Sequence, residues 1–312
     1  MPLYLTERDV EELLTPAEAV DAVEACFRRL AGGAVTNLPR TRLALEDGSL
    51  AVMAAADREL GYAGVKSYVA VPGSGARFAV LLFRADEPEL AAVVEADRLG
   101  QLRTGAASGV AARHLARPDA RSLGVIGCGW QAESQVACIR AAVPTIDRVT
   151  AFCRTEAALE AFCERVGAEA AEAHSEAGDA DVVVTATTSR DPVLRGEWLR
   201  DGALVCAIGA NVRSSRELDN AVLERAAFVC CDSREQARVE SGDLVEPVEQ
   251  GLLDWLEVHE FQDVVAGHVQ GRHDPQDVIV FKSNGIAAWD VAVAAAVVER
   301  ARERGVGLEL PA

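Results

Sequence analysis

From Arg121 onward the sequence keeps to one alternation: short, almost unbroken apolar runs, then longer runs of helical period. RSLGVIG, DRVTAFC, ADVVVTATT, GALVCAIGA and AAFVCCDS read as strands, and QAESQVACIRAAV and EAALEAFCERVG as helices. An apolar strand without polar alternation is covered on both faces, and strands joined through helices pair in parallel. A doubly wound α/β sheet is therefore the expected architecture of this half. The first half follows other rules. Thr6 can cap ERDVEELL, Thr15 with Pro16 can open PAEAVDAVEACFRRL, and Gly32-Gly33 can stop it. Period two then takes over, with a hairpin around Asp47-Gly48 in TRLALEDGSLAVMAA and further strands in GVKSYVAV and FAVLLFRA. A small-residue helix is expected over 103–116. The closing run NGIAAWDVAVAAAVVERARERG is a helix able to cross back onto the first domain. Helices beside antiparallel strands predict an α+β domain. The 312 residues are enough for both domains.

GVIGCGWQAES joins the first strand of the second half to its helix and sets Gly127, Gly129 and Ala132 in a G-x-G-x-x-A arrangement. Gly127 permits the tight turn, Gly129 lets a pyrophosphate approach the backbone, and Ala132 lets the helix pack close to the sheet. The helix N-terminus then faces the phosphates. With strand and helix on either side the pattern predicts dinucleotide binding; without them it is an ordinary βα turn. The next strand ends in Cys153-Arg154-Thr155, where NAD(H) enzymes place an acid for the ribose 2′-hydroxyl. An arginine beside a hydroxyl suits a 2′-phosphate, so NADP(H) is favoured and NAD(H) stays possible. The plain alternative is that Arg154 solvates the strand end. Thr187 and Thr188, in TATTS at the carboxyl end of another strand, stand where such sheets hold ligands, or else cap the next short helix.

Of 31 basic residues only Lys66 and Lys282 are lysine. Lys66 lies inside the apolar strand run YAGVKSYVAV. Facing outward it could snorkel to water; facing inward it needs a partner. Arginine serves wherever else a cation is wanted, and what arginine cannot do is lose its proton. The pattern favours an inward lysine that acts as acid or base, or holds a substrate carbonyl oxygen. Arg40 and Arg42 in LPRTRLAL read as one face of the preceding strand, and Arg103 opens RTGAAS. Each can clamp a carboxylate in bidentate fashion, though alone each is an ordinary surface arginine. Beside a dinucleotide fold they point to an α-amino or α-keto acid.

A formal charge of −18 argues against a nucleic-acid partner, which needs a basic face. No stretch is both long and apolar enough for a membrane span, and the acidic N-terminus is unlike a signal peptide, so a cytoplasmic protein is expected. The eight cysteines include no C-x-x-C pair and the five histidines complete no zinc pattern. Reduced thiols and no metal are the expectation.

Along nearly its whole length the chain resembles the ornithine cyclodeaminase and mu-crystallin family. The stretches that carry the likeness are GVKSYV, LGQLRTGAASGVAARHLA, GVIGCGWQA, ADVVVTATTSRDPVLRGEWL, AIGANVRSSRELD, DSREQARVESGDL and FKSNGIAAWD, in the family's order. The resemblance implies a homodimer with a substrate-binding and dimerisation domain over 1–117 and 290–312, and a Rossmann dinucleotide-binding domain over 118–289. It implies an NAD(P)-dependent oxidoreductase that interconverts a small L-amino acid with its 2-oxo acid or cyclic imine, as the family's alanine dehydrogenases and ketimine or pyrroline-carboxylate reductases do. By position, Lys66 matches the active-site lysine. Arg40, ahead of Arg42, matches the early carboxylate-binding arginine, and Arg103 the second. Thr104, Trp130, Gln131 and Ser283 fall among the cofactor contacts. The Cys-Arg-Thr ending is similar to the Asn-Arg-Thr of NADPH-binding mu-crystallin. Two departures bear on the substrate. Cyclodeaminases carry an aspartate where this chain has Asn211 and a glutamate where it has Ala51, and an amide cannot take a proton as a carboxylate does. Ornithine cyclodeaminase is thus the second expectation, with Asn211 left to hydrogen-bond the substrate nitrogen or a water. A non-catalytic NADPH-dependent binding protein is the third. The family's Met-Pro is Met53-Ala54 here.

Overall fold

Two capping boxes start the chain. In the computed structural model, which describes residues 1–71, 73 and 75–311, the Asp9 carboxylate accepts from the Thr6 amide at 2.8 Å while the Thr6 hydroxyl accepts from the Asp9 amide. Thr15 and Glu18 repeat the exchange. These bonds satisfy amides that a first helical turn leaves over. They follow β1 (Leu3–Leu5) and fix the starts of α1 (Glu7–Leu13) and α2 (Pro16–Ala31). Beyond Gly32 and Gly33 run β2 (Val35–Asn37), β3 (Thr41–Leu45), β4 (Gly48–Asp57), β5 (Tyr62–Val71), β6 (Gly75–Arg84) and β7 (Leu90–Glu95). Leu45 pairs with Gly48, so the hairpin turns over Glu46-Asp47 and Gly48 already belongs to the strand. The small-residue helix, α3 (Asp97–Leu115), begins at Asp97 rather than at Arg103.

The chain forms two compact units, Thr104–Gly285 and Met1–Arg103 with Ile286–Ala312. The unit of Thr104–Gly285 carries β8 (Ser122–Ile126), α4 (Trp130–Ala142), β9 (Arg148–Phe152), α5 (Glu156–Val166), β10 (Glu169–Ala170), α6 (His174–Gly178), β11 (Val182–Thr185) and β12 (Leu204–Ala207). After these come α7 (Asn220–Arg225), β13 (Ala226–Cys231), α8 (Arg234–Glu240), α9 (Gly242–Glu249), β14 (Val258–Glu260), α10 (Phe261–Val265) and β15 (Val278–Lys282). All eight strands are parallel, in the order β10-β9-β8-β11-β12-β15-β13-β14. This is a Rossmann-type doubly wound sheet, and its strand order reverses between β8 and β11. Every residue of β8, β11, β12 and β15 is buried, which is why these strands read as unbroken apolar runs. The sequence reading left out β10, β14 and β15. The first two are short and peripheral, held by one neighbour each. β15 holds a four-residue apolar run before Lys282, and only its place between β12 and β13 makes it a central strand.

α11 (Ala287–Arg304) and β16 (Leu308–Glu309) complete the other unit. Its sheet runs β16-β1-β7-β6-β5-β4-β2, with β3 also on β4, and apart from the parallel pair β1–β7 it is antiparallel. α11 packs against α2 and across β4 and β5. Trp289 anchors it, fully buried, with its ring edge-on to Phe27 at 5.3 Å. Burial of such a side chain contributes on the order of 3 kcal/mol. Among the described residues no helix is long and apolar enough to cross a membrane.

Candidate active site

Strand period places Lys66 of β5 on the face of the sheet that α11 covers. Its cross-strand partners there are Met53 and Val80, both fully buried. The ammonium is 3% exposed, so the inward alternative holds. Its Nζ donates to Asp290 Oδ1 of α11 at 3.0 Å and lies 4.9 Å from the centre of the Phe78 ring. Arg103 Nε donates to the same carboxylate oxygen at 3.0 Å. Asp290 Oδ2 is buried and has no hydrogen-bond donor among the described residues. Burial first and then the Arg103 guanidinium lower the Lys66 pKa from 10.5 to about 8, against the opposing pull of Asp290. An ammonium in that range can give or take a proton near neutral pH.

The three arginines fare differently. Arg103 and Arg40 are buried, and Arg40 Nε lies 3.4 Å from Met53 Sδ. Arg42 is exposed. Arg40 precedes β3 rather than lying in it, so it does not share a strand face with Arg42 as the alternation implied. Asp290 was missed in the sequence, although it is the one charged residue from Ser283 to Val298. A lone carboxylate in so apolar a helix needs a buried partner.

In the parallel sheet, a cleft of ≈ 450 Å³ opens outside the carboxyl ends of β8, β9 and β11. Gly127, Gly129, Arg154, Thr155, Thr187 and Thr188 line it together. Gly127 has φ 106, and a Cβ there would stand 2.5 Å from the Ala186 carbonyl oxygen, so only glycine fits. A Cβ on Gly129 would meet nothing within 4 Å. The missing side chain therefore opens onto free space at the start of α4, where no side chain caps the helix. Amides at such a terminus suit a phosphate, and the residues present fit a dinucleotide. Ala132 is fully buried beneath the loop. Trp130 and Gln131 are the first two residues of α4 and do not line the cleft; nor do Thr104, Asn211 or Ser283. Thr104 is buried on α3, Asn211 is exposed after β12, and Ser283 is buried with its hydroxyl donating to Asp232 at 3.0 Å. Thr187 caps no helix. Its hydroxyl and amide both donate to Glu217, at 2.8 and 2.7 Å.

That glutamate belongs to a buried charged group the sequence reading did not find. Glu217 also accepts from the Thr185 hydroxyl and from the amides of Gly209 and Ala210. The second lysine, Lys282, is fully buried; its Nζ lies 3.1 Å from Asp243 and donates to the carbonyls of Ala210 at 2.6 Å and Ala207 at 3.3 Å. Asp243 accepts from the amides of Glu217 and Leu218. Burial pushes the Glu217 carboxyl up, and Lys282 holds it down. The group ties the chain after β11 to the chain after β12.

Comparison with known proteins agrees with this architecture. The description "ornithine cyclodeaminase/mu-crystallin family" matches residues 2–305. The chain is 38% identical to the alanine dehydrogenase of Archaeoglobus fulgidus, over 99% of this chain and 98% of that protein. Among solved structures, the Delta(1)-pyrroline-2-carboxylate reductase of Thermococcus litoralis, in complex with NADH and L-proline, superposes with a TM-score of 0.93 at 30% identity, covering 99% of this chain and 100% of that one. An archaeal alanine dehydrogenase dimer with bound NAD superposes with a TM-score of 0.92 at 36% identity, covering 99% of each chain. On a match of that extent, the chain belongs to the ornithine cyclodeaminase/mu-crystallin family.

Proposed function

We propose that the protein is a cytoplasmic, homodimeric, NADP(H)-dependent oxidoreductase that interconverts a small L-amino acid with its 2-oxo acid or cyclic imine. The observation that carries this reading is the buried Lys66–Asp290–Arg103 group. Arg103 and Arg40 pair with the substrate carboxylate. With a 2-oxo acid, ammonia adds to the carbonyl carbon and water leaves, Lys66 protonating the departing oxygen; on that imine or a cyclic one Lys66 gives its proton to the nitrogen in reduction and takes it back in oxidation. Asp290 holds Lys66 and Arg103 through Oδ1 and leaves Oδ2 for a substrate N–H. A bound nicotinamide supplies or accepts the hydride at Cα. The glycine loop, the start of α4, Thr155, Thr187 and Thr188 hold that coenzyme, and Arg154 takes its 2′-phosphate. The dimer reading is supported by Leu43, Leu45, Val69, Leu81 and Phe83. They are exposed on the sheet face that α11 leaves open, and apolar side chains gathered on one exposed face suit an interface. All eight cysteines are free thiols, which suits a reducing compartment.

The test is a panel of L-amino acids, 2-oxo acids and cyclic imines, run with each coenzyme while reduced nicotinamide and ammonia are followed. Net change in reduced nicotinamide is expected. Proline and ammonia from ornithine without net coenzyme change would replace this reading with cyclodeamination. Tight coenzyme binding with no turnover would replace it with a binding protein. In the same assay Arg154→Asp is expected to cost NADPH about 100-fold in kcat/KM, the worth of one or two charge-assisted hydrogen bonds. An unchanged ratio of NADPH to NADH would remove Arg154 from coenzyme selection.

A further inference from the structure

We infer that Arg195 and His174 join Arg154 in one basic pocket for the coenzyme's 2′-phosphate, which makes both of them specificity-determining residues. The inference rests on the dinucleotide reading above and goes beyond it by naming what selects the coenzyme. Arg154 follows β9, His174 is the first residue of α6, and Arg195 lies between β11 and the short 3₁₀ turn Gly196–Trp198. All three line the same cleft.

Charge singles this corner out. The chain holds 49 Asp and Glu against 31 Lys and Arg, yet among the described residues no carboxylate lines the cleft. His174 is half-buried, and its protonation is disfavoured first by burial and then by the guanidinium groups of Arg154 and Arg195. Both arginines are therefore near enough to act on one imidazole. Like charges gathered without a lining counter-charge are poised for an anion, and a phosphate monoester brings close to two negative charges. Arg195 pairs with the acidic Glu197 at 3.6 Å. Both side chains of that pair are more than half exposed, so it holds the guanidinium weakly.

The wall behind the cations is aromatic and orients them. The His174 ring lies 4.2 Å from Phe152 and stacks on Trp198 at 6.0 Å and 22°. The Arg195 guanidinium sits over the same Trp198 ring at 5.4 Å, an arrangement that steadies it without using its hydrogen-bond donors. Trp198 is packed in turn against Gly178, where an added Cβ would come within 3.1 Å of the indole's Cβ. The donors of Arg195 and the imidazole N–H can then serve a ligand on the cleft side. Adenine stacking on a guanidinium is the competing use of Arg195. It needs no phosphate, which lets the two be told apart.

The probes are 2′,5′-ADP and 5′-AMP, which differ only by the 2′-phosphate, titrated calorimetrically into the protein. Wild type is expected to bind 2′,5′-ADP about 100-fold more tightly, and Arg195→Leu and His174→Phe are each expected to cut that ratio about tenfold. The phenyl ring of the second variant keeps the stack and removes the N–H. Because both nucleotides are measured on one preparation, any loss of folded protein cancels in the ratio. Equal affinities in the wild type, or variants that weaken both nucleotides alike, overturn the phosphate pocket; the second result assigns Arg195 to adenine. If neither nucleotide binds wild type, the dinucleotide reading itself falls.

Discussion

Lys66→Ala is expected to lower kcat by about 1,000-fold or more in both directions, the usual weight of a positioned proton donor, while the protein still binds its coenzyme. The reason is the environment of the ammonium rather than its charge. At 3% exposure it has lost most of its water, and one carboxylate oxygen holds it against two arginines. A pKa lowered from 10.5 to about 8 by burial, and then by Arg103, keeps both protonation states within reach. Reduction needs the protonated form, so its kcat/KM is expected to fall as pH rises through about 8; oxidation needs the neutral form and is expected to rise through the same value. The sign for stability follows too. The folded pKa lies below the unfolded one, so between about pH 8 and 10.5 the unfolded chain binds more protons at this site, and the site's contribution to stability grows over that window. Lys66→Arg should be as inactive as alanine, because a guanidinium keeps its proton. Wild-type turnover in the alanine variant, or an inflection near pH 8 that survives in the arginine variant, would remove Lys66 from the chemistry.

Lys282→Met is expected to destabilise the protein by about 3–5 kcal/mol, the cost of leaving a buried carboxylate without its cation. At the scale of this chain that is roughly a 10 °C fall in Tm, read by calorimetry. Lys282 is fully buried, faces Asp243 at 3.1 Å and also holds the Glu217 carboxyl down. Methionine fills most of the stem's volume, so the loss reports charge and not a cavity. Adding Asp243→Asn removes the stranded charge and keeps an oxygen for the amides of Glu217 and Leu218. The double variant is expected to recover part of the loss, a coupling that a packing defect alone would not produce. A loss under about 1 kcal/mol in the single variant would show that the group contributes little to stability.

What could be read before the structure was what local chemistry writes into neighbouring residues. Thr6 with Asp9 and Thr15 with Glu18 are capping boxes three residues apart, and both form. The glycine loop and its flanking strand and helix lie within one short stretch, and Gly127 is required there for its backbone angle and for Ala186 nearby. Lys66 stood out by composition, because a chain built on arginine keeps a lysine against its own habit.

The partners of these residues were decided elsewhere. Asp290 meets Lys66 across a sequence separation of 224, and Lys282 meets the carbonyl of Ala210 across 72. No periodicity or spacing carries such a pairing, because it exists only once strands and helices have stacked. β15 likewise became a central strand by insertion between β12 and β13, and Arg40 parted from Arg42 when the chain entered β3 one residue late. The elements, the glycine turn and the unusual lysine were legible in neighbouring residues, since each depends on backbone geometry and burial over a short stretch. Which charges face one another out of water emerged with the packed fold, since desolvation and Coulomb attraction act through space and are indifferent to distance along the chain.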